Sequence, residues 1–164
     1  MVTINPITYH PIGIIRSPHQ DPKGTPIQPT AGQGIKGVVE IQPQYVSGLQ
    51  DLDGFSYLIL LYSFDRVQET KLVVKPFLDE ASHGIFSTRA PVRPNPIGLS
   101  IVKLVGIEGN RLYIEDVDIL DGTPLLDVKP YVDRFDVRQS ERQGWLETNL
   151  GRLAGKTDDG RFCG

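Results

Sequence analysis

Cysteine is nearly absent from this chain. Cys163 is the single one among 164 residues, so no intrachain disulfide can form and no CxxC-type metal spacing occurs. That usage fits a reducing cytoplasm, where the protein is expected to reside. Histidine is scarce too. His10, His19 and His83 show no ligand spacing, and no metal is expected. No apolar run approaches the roughly 20 residues that span a bilayer, so no membrane segment is expected. The opening MVTINPITYHPIG lacks a basic segment followed by an apolar one, and no signal peptide is read there. GxSxG, HExxH and P-loop motifs are missing, and no Rossmann cofactor site is expected. Excess positive charge is also lacking. A net charge of −3 argues against a general polyanion binder, so nucleic-acid contact would need a local patch. Residues 81–107 offer one: His83, Arg89, Arg93 and Lys103 stand there without an Asp or Glu.

What is present is the material of a small β protein. Hydrophobic residues make up 39% and charged residues 23%, the balance of a globular domain rather than a disordered chain. The apolar runs are short and bounded by Gly, Pro and Asp, as in antiparallel barrels and sandwiches. Strands are expected at 12–17, 35–42, 56–64 (SYLILLYSF, the most apolar run), 71–77, 84–89 and 124–132. A hairpin over 99–120 should turn at Gly109-Asn110. Residues 43–55 suggest one or two helical turns after Pro43, and only 137–150 invites a longer helix. Residues 18–33 form a long Pro/Gly/Gln-rich loop, longer than ordinary connections. The expected fold is mainly β: a small antiparallel barrel of about seven strands, closed or nearly closed to hide its edges, with one or two short helices. Residues 1–150 read as one domain and 151–164 as a loose tail.

The polar residues that could do chemistry sit in loops. STRAPVRPNPIGLS (87–100) holds two arginines, three prolines and no carboxylate. Proline fixes φ and constrains the residue before it, so this is a stiffened loop carrying Arg89, Arg93 and Asn95. Arginines without local partners on such a frame point to anion recognition. Four other groups stand out: Pro26-Ile27-Gln28, Asp65-Arg66, the DGTP turn Asp121-Gly122-Thr123-Pro124, and KPYVDRFD with Lys129, Tyr131, Asp133 and Arg134. Taken singly, each of these four is more simply a charge pair, an ordinary turn or a core aromatic.

Taken in order, the segments resemble the TsaA-like family, the TrmO-type tRNA methyltransferases, in a short form without the C-terminal domain of longer bacterial members. The matching stretches are PIGIIRSP (11–18), GTPIQP (24–29), GVVEI (37–41), GLQDLDGFSYLILLYSF (48–64), GIFSTRAPVRPNPIGLSIVKLVGIEGNRLY (84–113), DILDGTPLLDVKPYVDRFD (118–136) and GWLE (144–147). The resemblance implies a single-sheeted β-barrel that works as a homodimer. It implies S-adenosyl-L-methionine as cofactor and methylation of N6 of threonylcarbamoyl-adenosine in the tRNA anticodon arm. Carried over, the cofactor contacts are Pro26, Ile27, Gln28, Asp65, Arg66, Arg89, Leu99, Asp121, Gly122, Thr123 and Pro124. Arg93, Asn95, Lys129 and Arg134 fall to the substrate. Many members have Pro-Arg-Gln at 26–28, and His at positions 57 and 65, where this chain has Ile27, Tyr57 and Asp65.

Methyl transfer is a displacement that chiefly needs alignment of nitrogen, methyl and sulfur. The urea-like nitrogen must also lose a proton, and Tyr131, Asp127 and Asp133 are the candidate bases. An arginine fork suits the substrate's threonine carboxylate, which assigns Arg89 to the cofactor and Arg93 to the substrate. Two other readings stand beside this one: a module that binds the cofactor without catalysis, and a methyltransferase for a different substrate.

Overall fold

The computed structural model describes residues 5–153 and 156–162; Cys163 lies outside them. Among the described residues eight strands form: β1 (Gly13–Arg16), β2 (Lys36–Ile41), β3 (Tyr57–Ser63), β4 (Val73–Val74), β5 (His83–Gly84), β6 (Ile97–Glu108), β7 (Arg111–Glu115) and β8 (Thr123–Pro130). Six of them close into a barrel in the order β1-β2-β7-β6-β3-β8. Every pairing is antiparallel, and β8 returns to β1 through Gly13↔Leu125. The barrel meets the expectation of a closed antiparallel sheet and leaves no edge to template aggregation.

Side-chain alternation explains the closure. Along β6, Gly98, Ser100, Val102 and Leu104 turn inward, while Ile97, Leu99, Ile101 and Lys103 turn out. Along β3 the inward set is Leu58, Leu60 and Tyr62. With Ile15, Val39, Ile41, Leu112, Ile114 and Leu125 these build one core. Each such large side chain contributes about 1.5–3 kcal/mol when buried. The hairpin joins β6 to β7 at Gly109, where φ is +58°, and Asn110. The Asn110 amide donates to the Ile41 carbonyl at 2.8 Å, locking the turn to β2.

Tyr62 pairs with Gly98 across β3 and β6. A Cβ on Gly98 would collide with the Tyr62 ring, so this glycine makes room for an aromatic inside one end of the barrel. The upper core is apolar, and this end carries Tyr62 and Ser100.

The sheet does not extend where two further strands were read. Residues 71–77 and 84–89 reduce to the two-residue ribbon β4–β5, followed by a 3-10 turn at Ile85–Ser87. Pro76 cannot continue a ladder, and Leu72 and Val73 face out. No helix fills 137–150. Gly144 adopts φ +59° and a single 3-10 turn follows at Gly144–Leu146. The described α-helix is one turn, Asp133–Asp136. Gly32-Gln33-Gly34-Ile35-Lys36-Gly37 has GxGxxG spacing. It runs into β2 rather than from a strand into a helix, so it makes no Rossmann phosphate turn.

A second layer of loops covers the polar end of the barrel around Val74, Ile85, Ala90, Val92 and Phe162. Residues 156–162 of the tail pack into it, which their Gly-rich, charged composition does not announce. The Gly24 amide donates to the Asp158 carbonyl and the Asp158 amide to the Thr25 carbonyl, both at 2.8 Å. Phe162 is 7% exposed and meets Phe77 edge-on at 5.0 Å.

Candidate functional site

Between the barrel's polar end and the loop layer lies a cavity of about 860 Å³. That is the size of a small-molecule site. Its floor is barrel: Tyr62, Gly98 and Leu99 from β3 and β6, and Asp118 from the segment after β7. Its walls are loops, including Pro26–Gln28, Asp65-Arg66, Ser87–Pro91 and Trp145.

The floor holds a directed hydrogen-bond chain. The Ser100 hydroxyl donates to Asp118 Oδ1 at 2.6 Å. With that proton committed, the Tyr62 hydroxyl is the donor in its 3.0 Å bond to Ser100 Oγ. Burial pushes the Asp118 carboxyl up to about 6, and the Ser100 bond and the Arg89 charge pull against the rise. Burial, with the Asp118 charge adding to it, also drives the Tyr62 phenol far above its ordinary value, so it stays a neutral donor.

Several residues singled out in the sequence come together here. Pro26, Ile27, Gln28, Asp65, Arg66, Arg89, Leu99, Thr123, Arg93 and Asn95 all line the cavity. Arg89 Nη1 donates to Gln28 Oε1 at 2.9 Å, bridging two loops 61 residues apart. Arg66 donates to the carbonyls of Gln20 (2.7 Å) and Asp121 (2.8 Å), tying the long first loop to the DGTP turn. Arg93 Nη1 points back at its own loop and caps the carbonyls of Thr88 (3.2 Å) and Ala90 (3.4 Å). Trp145 Nε1 donates to the Ser87 carbonyl at 2.8 Å and its ring stacks on His83, which anchors the last wall.

Other residues stand apart from the cavity. Asp121 accepts the Ser17 amide at 3.1 Å and holds the exit of β1. Gly122 has φ +81°, a backbone that favours glycine, and Pro124 pairs with Ile14 inside the sheet. Asp127 and Lys129 form an ion pair at 2.7 Å on the outer face of β8. Tyr131 lies edge-on to Tyr57 at 6.3 Å, and Asp133 and Arg134 belong to the single helical turn. None of the three candidate bases lines the cavity.

Sequence reasoning passed over Tyr62, Ser100, Asp118, Trp145 and Asp158, all at or just behind the cavity wall. A signal for Ser100 existed. In IGLSIVKL, period two puts this serine on the same face as Val102 and Leu104, the core face.

Fold and site define the class: a closed β-barrel with a ligand-sized cavity at its polar end, built without a Rossmann turn. The family model described as the tRNA-methyltransferase O N-terminal domain matches residues 14–137, and the chain belongs to that family. It is 56% identical over 156 residues to a probable S-adenosyl-L-methionine-binding protein of Pyrococcus abyssi, covering 95% of this chain and 85% of that one. It is 33% identical over 147 residues to the human tRNA (adenine(37)-N6)-methyltransferase, covering 85% of this chain but 33% of the human one. A crystal structure of TrmO from Pseudomonas aeruginosa superposes with a TM-score of 0.71 at 37% identity, covering 86% of this chain and 63% of that one. No described helix is long and apolar enough to cross a membrane.

Proposed function

We propose that the chain is a cytoplasmic S-adenosylmethionine-dependent tRNA methyltransferase acting on N6 of threonylcarbamoyl-adenosine beside the anticodon. The observation that carries this reading is the cavity. In a chain of this family, it gathers Pro26–Gln28, Asp65-Arg66, Arg89, Leu99 and Thr123 from segments far apart in sequence. The human relative's name supplies the reaction class, and the Pyrococcus relative's name supplies the cofactor.

The lining suits that cofactor. Leu99, Ile97 and Pro26 offer apolar surface for an adenine. Gln28 and Arg89 offer polar groups already aligned by their mutual bond. When bound, S-adenosylmethionine supplies an electrophilic methyl group carried on sulfur. Asp121, Gly122 and Pro124 act from behind the wall, by fixing the turn that presents Thr123. Arg93 and Asn95 stand at the same cavity as Arg89 and meet the substrate nucleotide. A substrate carboxylate competes for Arg93 with the Thr88 and Ala90 carbonyls, and a charged acceptor is the stronger partner. Lys129 and Arg134, exposed beyond the cavity, meet the tRNA backbone.

The test is to incubate the purified chain with methyl-labelled cofactor and tRNA with and without the threonylcarbamoyl group, then digest to nucleosides. The label should appear on N6 of the modified adenosine only. A second reading, a cofactor-binding module without catalysis, draws support from the Pyrococcus relative's name. Cofactor binding with no label on any tRNA would favour it. Label on another nucleoside would keep the methyltransferase and change the substrate.

Two copies are expected to pair. The outer faces of β3 and β6 present Tyr57 and Ile101, exposed apolar side chains beside the cavity-lining Ile97 and Leu99. Light scattering should give twice the 18.2 kDa chain mass; the monomer mass at micromolar concentration would remove this part of the reading.

A further inference from the structure

The reaction needs a group that accepts the substrate's N6–H proton, and the residues read for that role lie outside the cavity. Among the described residues, three carboxylates line it: Asp65, Asp118 and Asp158. Asp65 is exposed at the end of β3. Asp158 belongs to the tail, where its Oδ1 accepts the Gly160 amide at 2.6 Å. Asp118 alone is held against the barrel floor, through Ser100 on β6 and Tyr62 on β3.

We infer that Asp118 is the proton acceptor of the methyl transfer, held in place by the Tyr62–Ser100 relay. The inference rests on the methyltransferase reading above. The relay runs one way: Tyr62 donates to Ser100, and Ser100 donates to Asp118 Oδ1. Ser100 accepts from Tyr62 and donates to Asp118, so the carboxylate ends the chain as an acceptor and the Ser100 bond favours its charged form. Ser100 engages Oδ1 and the residue's own backbone amide also bonds the carboxylate, and Oδ2 is assigned as the acceptor for the substrate proton. As the substrate nitrogen's lone pair forms the bond to the methyl carbon, the C–S pair stays on sulfur as a neutral thioether. The N6 proton passes to Asp118 Oδ2. The cation on sulfur and the anion on Asp118 are discharged together, so no net charge is created in the cavity. The proton then leaves to water through the cavity mouth.

Burial suits Asp118 to the task. A carboxyl raised to about 6 is a stronger base than an exposed one, yet it remains ionised at neutral pH. The groups facing it are Ser100, Tyr62, Arg89 and its own backbone amide, and of these only Arg89 carries charge. The two positioning residues, Tyr62 and Ser100, act through Asp118.

The test is Asp118→Asn, which keeps shape and removes the base. With modified tRNA, kcat should fall by at least about 100-fold, the ordinary weight of a positioned base. Cofactor affinity by calorimetry should stay within about twofold, since only the chemical step is touched. The wild-type kcat/KM, which reports the free enzyme, should rise with pH to a plateau through an apparent pKa near 6. In Ser100→Ala, where a bond that lowers that value is lost, the limb should move to higher pH, and Ser100→Thr should restore it. Wild-type kcat in a folded Asp118→Asn would overturn the inference while leaving the methyltransferase standing. A fall in cofactor affinity matching the fall in kcat would also overturn it, because Asp118 would then be a cofactor ligand. If Asp118→Asn did not fold, an unmoved pH limb in Ser100→Ala would overturn it. Wild-type protein that binds cofactor and methylates nothing would remove the function and this inference together.

Discussion

The barrel and the loop layer that roofs its polar end are assembled by different means. The barrel is a backbone-laddered wall whose interior follows period two: Leu58, Leu60, Val102, Leu112, Ile114 and Leu125 all obey it. Among the described residues, the roof's backbone pairing is limited to the Val73–Val74 ribbon with His83–Gly84 and the single Pro26–Thr157 bridge that seats the tail. It is tied by side chains gripping carbonyls: Arg66 on Gln20 and Asp121, Trp145 on Ser87, Arg93 on Thr88 and Ala90, and Arg161 on Pro76. Such ties open locally at lower cost than a closed sheet. The cavity lies on the seam, between a backbone-laddered floor that holds Asp118 through Ser100 and a roof tied by local contacts.

The largest expected break in that contrast is in the wall. Leu60→Ala should cost about 2–5 kcal/mol of stability, whereas Val92→Ala in the roof should cost about 1–2 kcal/mol. Urea unfolding checks both. The floor should behave oppositely to the wall. Asp118's folded value is raised from 3.8 to about 6, so its contribution to stability is fully present below about pH 4 and is lost as pH rises through 6. Asp118→Asn should therefore stabilise the fold by about 2–3 kcal/mol at pH 8 and by little at pH 4, the expected trade of stability for function. Thermal unfolding at the two pH values reads this directly, and equal shifts at both would contradict the burial argument.

Smaller effects divide the roof itself. Arg89→Ala should weaken cofactor binding about tenfold and barely move stability, because its partner Gln28 lies at the cavity wall. Asp121→Ala should do the reverse. It loses the bond to the Ser17 amide, costs about 1 kcal/mol of stability, and leaves cofactor affinity intact. Calorimetry beside thermal unfolding separates the two.

The same division governs what could be read from the sequence. Strands with strict alternation or turn signals were legible: the hairpin at Gly109-Asn110, the central strand and the barrel's closure all follow from local pattern. The roof was not. Residues 71–89 have strand composition, but Pro76 and outward-facing Leu72 and Val73 leave them only a two-residue pairing. Residues 137–150 have helix-compatible letters, and the positive φ of Gly144 and the docking of Trp145 set the backbone instead. Of the cavity-lining residues, Arg89 and Arg93 stood out as arginines on a proline-stiffened loop, whereas Gln28 was tied to the site only by the family resemblance. Asp118 reads as one acid among several in IEDVDILDG, and only tertiary burial beside Ser100 distinguishes it from Asp116 or Asp121.

In the proposed reaction the methyl donor sits in this cavity with its methyl carbon turned toward the space in front of Asp118. A crystal structure of the chain with S-adenosylmethionine tests it most directly. The cofactor should lie between Pro26–Gln28, Arg89 and Leu99, its methyl carbon facing the floor where Tyr62, Ser100 and Asp118 are joined. A cofactor bound outside the cavity, against Lys129, Tyr131 and Arg134 at the end of β8, would contradict it.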